Sequence, residues 1–132
     1  HLGLTPQSVN VFGGYKVQGK TDTQAEKLMA DCQAVVEAGA AILLLECVPA
    51  ELAKKVRDTF PLPVIGIGAG VECDGQVLVM HDMLGVYTRK PAKFVKNFLT
   101  DEHNETKDIT GAFKAYHQAV KDRTFPTPAH SF

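Results

Sequence analysis

An α/β fold with parallel strands is predicted for this chain, and three observations predict it. Two short apolar blocks without polar alternation, Ala41-Ile42-Leu43-Leu44-Leu45 and Val64-Ile65-Gly66-Ile67, read as strands buried on both faces. Segments with helical apolar spacing flank them. The connections are short, so helix and strand alternate along the chain. A doubly wound sheet and a (β/α)8 barrel both satisfy that order. A complete barrel takes about 250 residues, so the 132 residues here would supply half of one.

Taken in order, His1 with Leu2-Gly3-Leu4 behind it reads as the end of a strand that starts further upstream. Gly13-Gly14-Tyr15 and Gly19 mark a glycine-rich loop, either a lid at the ligand face or a surface connection. Residues 23–37 are predicted helical, with Ala25, Leu28, Met29, Cys32, Val35 and Val36 on one stripe. Thr23 and Glu26 fit a capping box, and Gly39 suits the stop. The strand at 41–45 follows. Pro49 opens a second helix, with Glu51 early and Lys54, Lys55 and Arg57 late, as the helix dipole favours. Leu52, Val56 and Phe60 form its apolar stripe, and Pro61 and Pro63 end it before the strand at 64–67. After the turn-like Cys73-Asp74-Gly75, a third strand is predicted at 77–80. Helices are predicted at 92–99 and 107–121, separated by a solvated loop at 100–106. Phe113 and Tyr116 read as packing residues, and His103 and His117 as solvent-facing.

Composition narrows the function class. Fourteen Lys and Arg against 15 Asp and Glu leave a formal charge of −1, without the basic excess that nucleic-acid binding wants. With 45% hydrophobic and 22% charged residues, the chain is neither disordered nor collagen-like. Its longest apolar run, 38–45, contains Gly39 and falls far short of the ~20 residues of a membrane span. Cys32, Cys47 and Cys73 are odd in number and lack CxxC spacing, so neither a disulfide framework nor a zinc knuckle is predicted. They are expected as buried, inert thiols. No leader of charged, apolar and then small residues opens the chain, and a cytoplasmic location is expected.

Glu46 is the most informative residue. It follows five apolar residues at the carboxyl end of a strand, where the loops of parallel α/β folds gather their active sites. Apolar surroundings disfavour the charged carboxylate and raise its pKa toward general-base range. Equally, a carboxylate there could simply favour the helix that begins at Pro49. Gly66-Ile67-Gly68-Ala69-Gly70 is not a dinucleotide fingerprint, because Val71 stands where the third glycine belongs. Its glycines would let backbone or substrate approach closely, or let the chain turn. His81-Asp82 is either a supporting pair for the site or a structural hydrogen bond. No tight His/Asp/Glu cluster offers three metal ligands in this chain.

His1-Leu2-Gly3-Leu4-Thr5-Pro6-Gln7 and Gly13-Gly14-Tyr15-Lys16-Val17-Gln18-Gly19 resemble the ketopantoate hydroxymethyltransferase family. So do Leu45-Glu46-Cys47-Val48-Pro49, Ile65-Gly66-Ile67-Gly68-Ala69-Gly70, Asp74-Gly75-Gln76 and His81-Asp82. The resemblance continues through Lys93-Phe94 and Lys96-Asn97-Phe98 to His130-Ser131-Phe132, and covers the C-terminal half of the family's length. It implies a single partial domain over 1–132, the C-terminal half of a (β/α)8 TIM-type barrel, usually assembled into a homo-oligomer. The implied reaction moves a one-carbon unit from 5,10-methylenetetrahydrofolate to 3-methyl-2-oxobutanoate, giving 2-dehydropantoate for pantothenate synthesis.

By resemblance, Glu46 is the base that removes the proton beside the ketone, and His1 binds or orients substrate. The family's Mg2+ acts as a Lewis acid on the keto acid. Its acidic ligands, with the Lys and Ser that contact the keto acid, belong to the N-terminal half and have no counterpart here. Activity would therefore need that half. Two other readings stand beside this one. One is a stand-alone half-barrel that binds or assembles without chemistry. The other is a Mg2+-dependent keto-acid enzyme of the phosphoenolpyruvate mutase and isocitrate lyase type.

Overall fold

Four strands lie side by side in chain order, all parallel. They are β1 (Leu2–Gly3), β2 (Leu43–Glu46), β3 (Val64–Ile67) and β4 (Gly75–Gln76) in a computed structural model that describes residues 1–88 and 90–132. Helix α1 (Asp22–Glu37) joins β1 to β2, and α2 (Ala50–Thr59) joins β2 to β3. A short α3 (Met80–Met83) and a longer α4 (Ile109–Lys121) follow β4. The predicted α/β class with parallel strands is therefore observed.

Helix α1 begins one residue earlier than predicted. Thr21, not Thr23, is the N-cap and accepts from the Gln24 amide at 3.3 Å, while Gln24 Oε1 accepts from the Lys20 amide at 3.0 Å. The same Thr-x-x-Gln spacing two residues upstream places Asp22 in the first turn, where the helix dipole favours it. Gly39 ends the helix as expected. At φ 93° it turns the chain so that its own amide reaches Val36 O and the Ala40 amide reaches Val35 O.

The predicted stripes pack the core. Leu28 and Cys32 of α1, and Leu52, Ala53 and Val56 of α2 with Phe60 beyond it, are buried against Leu43, Leu45 and Val64 of the sheet. Burial pushes the Cys32 and Cys73 thiols up to about 11 and Cys47 to about 12, so these thiols stay protonated at neutral pH. Coverage on both faces is not observed. Leu43 and Leu45 face the helices, whereas Leu44 and Ile65, paired across β2 and β3, are only half-buried, and Ile42 is 58% exposed. Both connecting helices pack on one face, leaving the other without a covering helical layer among the described residues.

The third strand is shorter and earlier than predicted. Ladder pairing ends with the Val77 amide on Gly66 O, because β3 stops at Ile67 and the backbone turns at Gly68 (φ 61°). Val79 instead caps α3. The helix predicted at 92–99 does not form. Asn97 Oδ1 accepts from the Leu99 amide at 2.9 Å, and the Phe98 amide bonds Met83 O at 2.7 Å. Both amides are thereby lost to a helical ladder. Phe98 is fully buried in a second cluster with Met83, Ala112, Ala115 and Phe125. Edge-to-face rings at 5.2 and 5.4 Å join it to Phe125 and Tyr116. Tyr116 also donates to Gln76 O at 2.8 Å, tying α4 to β4. Phe113, expected in the packing, is 45% exposed because it lies on the outer face of α4.

The loop at 100–106 is not wholly solvated. Asn104 is fully buried, donates to Phe98 O, Leu99 O and Asp108 O, and accepts from the Lys107 amide. Next to it, Asp108 caps α4 by accepting from the Gly111 amide at 2.6 Å. His103 and His117 are exposed as expected, and the His103 ring also contacts Asp101 at 2.9 Å.

Among the described residues, strands β1 and β4 leave unpaired edges, and such edges template association with other chains. The isolated 132-residue chain is expected to self-associate, with light-scattering mass rising with concentration. A monodisperse monomer with a cooperative melt would contradict this.

Candidate active site

Side chains alternate across a strand, so the registers sort the sheet residues. Leu2, Leu45 and Gly66 pair across the sheet, and the first two pack against the helix-side core. Gly3, Glu46 and Ile67 form the next row and therefore point to the opposite, helix-free face. His1, two residues before Gly3, shares that direction. The two sequence-predicted site residues thus converge: His1 Nε2 lies 3.1 Å from Glu46 Oε2. With Nε2 protonated, the imidazole donates to the carboxylate.

The Glu46 side chain is only 13% exposed, and burial raises its pKa above the ordinary carboxylate value. No pairing to a resident Lys or Arg offsets that shift among the described residues. Close backbone packing fixes where this carboxylate sits. Gly3 (φ 85°) leaves no room for a Cβ, which would stand 2.3 Å from Glu46 O, and that same oxygen accepts from the Leu4 amide at 2.8 Å. Cys47 follows in the left-handed region at φ 50°, a conformation that costs a side-chain-bearing residue about 1–2 kcal/mol. Its amide donates to Ile67 O, and its carbonyl accepts from the Gln18 amide, each at 2.9 Å. The glycine-rich loop is thereby tied to the turn that carries Glu46, although Tyr15 within it is 74% exposed.

The remaining candidates fall outside this contact. Gly68 and Gly70 have φ of 61° and 86°, and each abuts neighbouring chain. A Cβ at Gly68 would stand 2.9 Å from Phe94, and one at Gly70 would stand 2.5 Å from Ala50. They serve turning and close packing. His81 is exposed in α3, and neither it nor Asp82 makes a side-chain hydrogen bond among the described residues. No group of three or more His, Cys, Asp or Glu side chains among the described residues could hold a metal ion. No described helix is long and apolar enough to cross a membrane.

The sequence profile described as ketopantoate hydroxymethyltransferase matches residues 1–128. The chain belongs to the ketopantoate hydroxymethyltransferase family. Among its relatives, the 3-methyl-2-oxobutanoate hydroxymethyltransferase of Acinetobacter baylyi is 63% identical over 133 residues, covering all of this chain and 49% of the relative. Those of Psychrobacter arcticus and Psychrobacter cryohalolentis are 62% and 61% identical over 132 residues, again all of this chain and 50% of each. The chain thus spans about half the length of the curated relatives it matches. Four parallel strands with two open edges are what half of an eight-stranded barrel supplies.

Phe132 and Asn104 are the residues that sequence reasoning did not place. The first is distant in sequence from the elements it touches. The second carries no local signal, since a buried Asn in a polar loop reads like a solvated one.

Proposed function

We propose that this chain is the C-terminal, base-bearing half of a 3-methyl-2-oxobutanoate hydroxymethyltransferase, a single partial domain whose activity requires the N-terminal half. The observation that carries the reading is Glu46 itself: a sheltered carboxylate with raised pKa, on the helix-free face at the carboxyl end of β2, beside His1. That face and the two edges of the sheet are where the other half of a barrel would close.

Glu46 takes the proton from C3 of 3-methyl-2-oxobutanoate, and the enolate carbon then bonds to the methylene carbon of 5,10-methylenetetrahydrofolate. The carbon–nitrogen bonds of that methylene break, tetrahydrofolate leaves with the proton, and water supplies the hydroxyl of the new hydroxymethyl group. Burial that disfavours the carboxylate makes it a stronger proton acceptor than an exposed glutamate. His1 holds the carboxylate in one orientation and contacts substrate. The residues described here do not themselves fit a divalent ion, since Glu46 and His1 are the two potential ligands brought together at the site. The Mg2+ that the family resemblance implies would take its ligands from outside this chain. A cytoplasmic homo-oligomer acting on a small keto acid and a folate completes the reading, with neither nucleic acid nor membrane as partner.

The test is exchange at C3. In D2O, the complete protein is expected to replace the C3 proton of 3-methyl-2-oxobutanoate with deuterium, followed by NMR, and to form 2-dehydropantoate once 5,10-methylenetetrahydrofolate is added. The isolated 132-residue chain is expected to do neither until the N-terminal half is supplied. Absence of exchange by the complete protein would overturn the reading.

A further inference from the structure

Helix α2 begins directly after Pro49, which provides no side-chain cap, so its first backbone donors need another acceptor. The Ala50 amide finds one 82 positions away in sequence: it donates to Phe132 O at 2.8 Å. The segment ending at Phe132 is itself held down. The Lys93 ammonium donates to Ser131 O and stands 5.1 Å over the Phe132 ring. Phe132 and Phe94 both close on Gly68, where a Cβ would approach their rings to 3.1 and 2.9 Å. Ser131 Oγ bonds Thr127 O, and Thr127 Oγ1 meets His130 Nδ1 at 2.8 Å, bracing the segment from behind.

These contacts converge beside the base. Gly68 follows Ile67, the residue paired with Glu46 across the sheet. Between Glu46 and Ala50 stand three residues, of which Cys47 is held at φ 50°. A strained turn persists where its surroundings over-determine it. Hydrogen bonds from Gln18, to Ile67 and to Phe132 are the ones that pin this turn and the helix it feeds.

We propose that residues 130–132, locked by Lys93, form a clasp that positions Glu46 by capping α2 from a distant part of the chain. The proposal rests on Glu46 being the base. Phe132 and Lys93 are positioning residues: neither contacts the carboxylate, and both act through the turn at 47–49.

In the complete protein, Phe132→Ala and Lys93→Met are each expected to reduce hydrogen-exchange protection of the Ala50 amide about tenfold or more, since an uncapped first-turn amide frays. The kcat for C3 deuterium exchange is expected to fall between about tenfold and 100-fold, the scale of an ångström-sized misplacement. KM for the keto acid stays within about twofold, because neither substitution changes His1, the substrate contact proposed above. Every variant keeps the backbone carbonyl, and Phe132→Tyr also keeps the ring that seats it under Lys93 and against Gly68, so it restores both readouts. Lys93 is exposed, so Lys93→Met keeps the test open if Phe132→Ala does not fold. Unchanged Ala50 protection in both variants overturns the clasp, as does a loss of kcat while protection remains intact. Normal exchange in Glu46→Gln would instead overturn the assignment of the base, which the Ala50 amide does not report.

Discussion

Glu46→Gln in the complete protein is expected to slow deuterium exchange at C3 of 3-methyl-2-oxobutanoate by about 100- to 10,000-fold, the range lost with a general base. Glutamine keeps the shape and can still hydrogen-bond His1, but its amide cannot accept the substrate proton. The wild-type rate should rise with pH as Glu46 ionises, with a midpoint displaced above the ordinary glutamate value because burial disfavours the charge.

Stability moves in the opposite sense. A carboxyl whose pKa is raised by folding contributes stability below its unfolded pKa, and that contribution is lost as pH rises through the folded value. Glutamine has no such loss. The variant should therefore gain stability relative to wild type on going from acid to neutral pH, in denaturant titrations at the two pH values. An exchange rate unaffected by the substitution would remove Glu46 as the base.

Asn104→Ala should be the most damaging single change away from the site, costing about 3 kcal/mol in urea unfolding of the complete protein. The side chain is fully buried, and its amide serves Phe98 O at 3.3 Å, Leu99 O at 2.9 Å and Asp108 O at 3.1 Å. Its carbonyl accepts from the Lys107 amide at 3.0 Å. Alanine leaves these groups unpaired and opens a void beside Gly111, where a Cβ would stand 2.0 Å from Asn104 Oδ1. Asn104→Asp places a buried carboxylate among the same carbonyls and should be worse at neutral pH than in acid, where protonation restores a donor. A loss below about 1 kcal/mol for alanine, the size of surface substitutions and weak hydrogen bonds, would contradict the role given to Asn104.

The α/β class, the parallel strands, both buried helix stripes and the place of the Glu46 carboxylate at a strand's carboxyl end were legible in the sequence. Each depends on residues near in the chain: an apolar block without alternation, a stripe at helical spacing, a glutamate just beyond a strand. Gly39 was legible for the same reason, since the turn that needs its positive φ involves only its neighbours. The boundaries that slipped had a nonlocal cause. Residues 77–80 look like a strand, but β3 has turned away at Gly68 and offers no partner. Residues 92–99 look helical, but the Asn97 side chain and Met83 O take the amides that a helix would use.

By itself, then, the sequence determined the alternation of elements and placed Glu46 at the carboxyl end of a strand, because hydrophobic periodicity and helix stops are local properties. The tertiary structure decided which face that carboxylate takes and what stands beside it. Strand register turns Glu46 and His1 to the helix-free side and brings them to 3.1 Å. It also decided that Phe132 caps α2 and that Asn104 is buried. These features arise from groups far apart in the chain, whose meeting depends on how the layers pack rather than on any neighbouring residue.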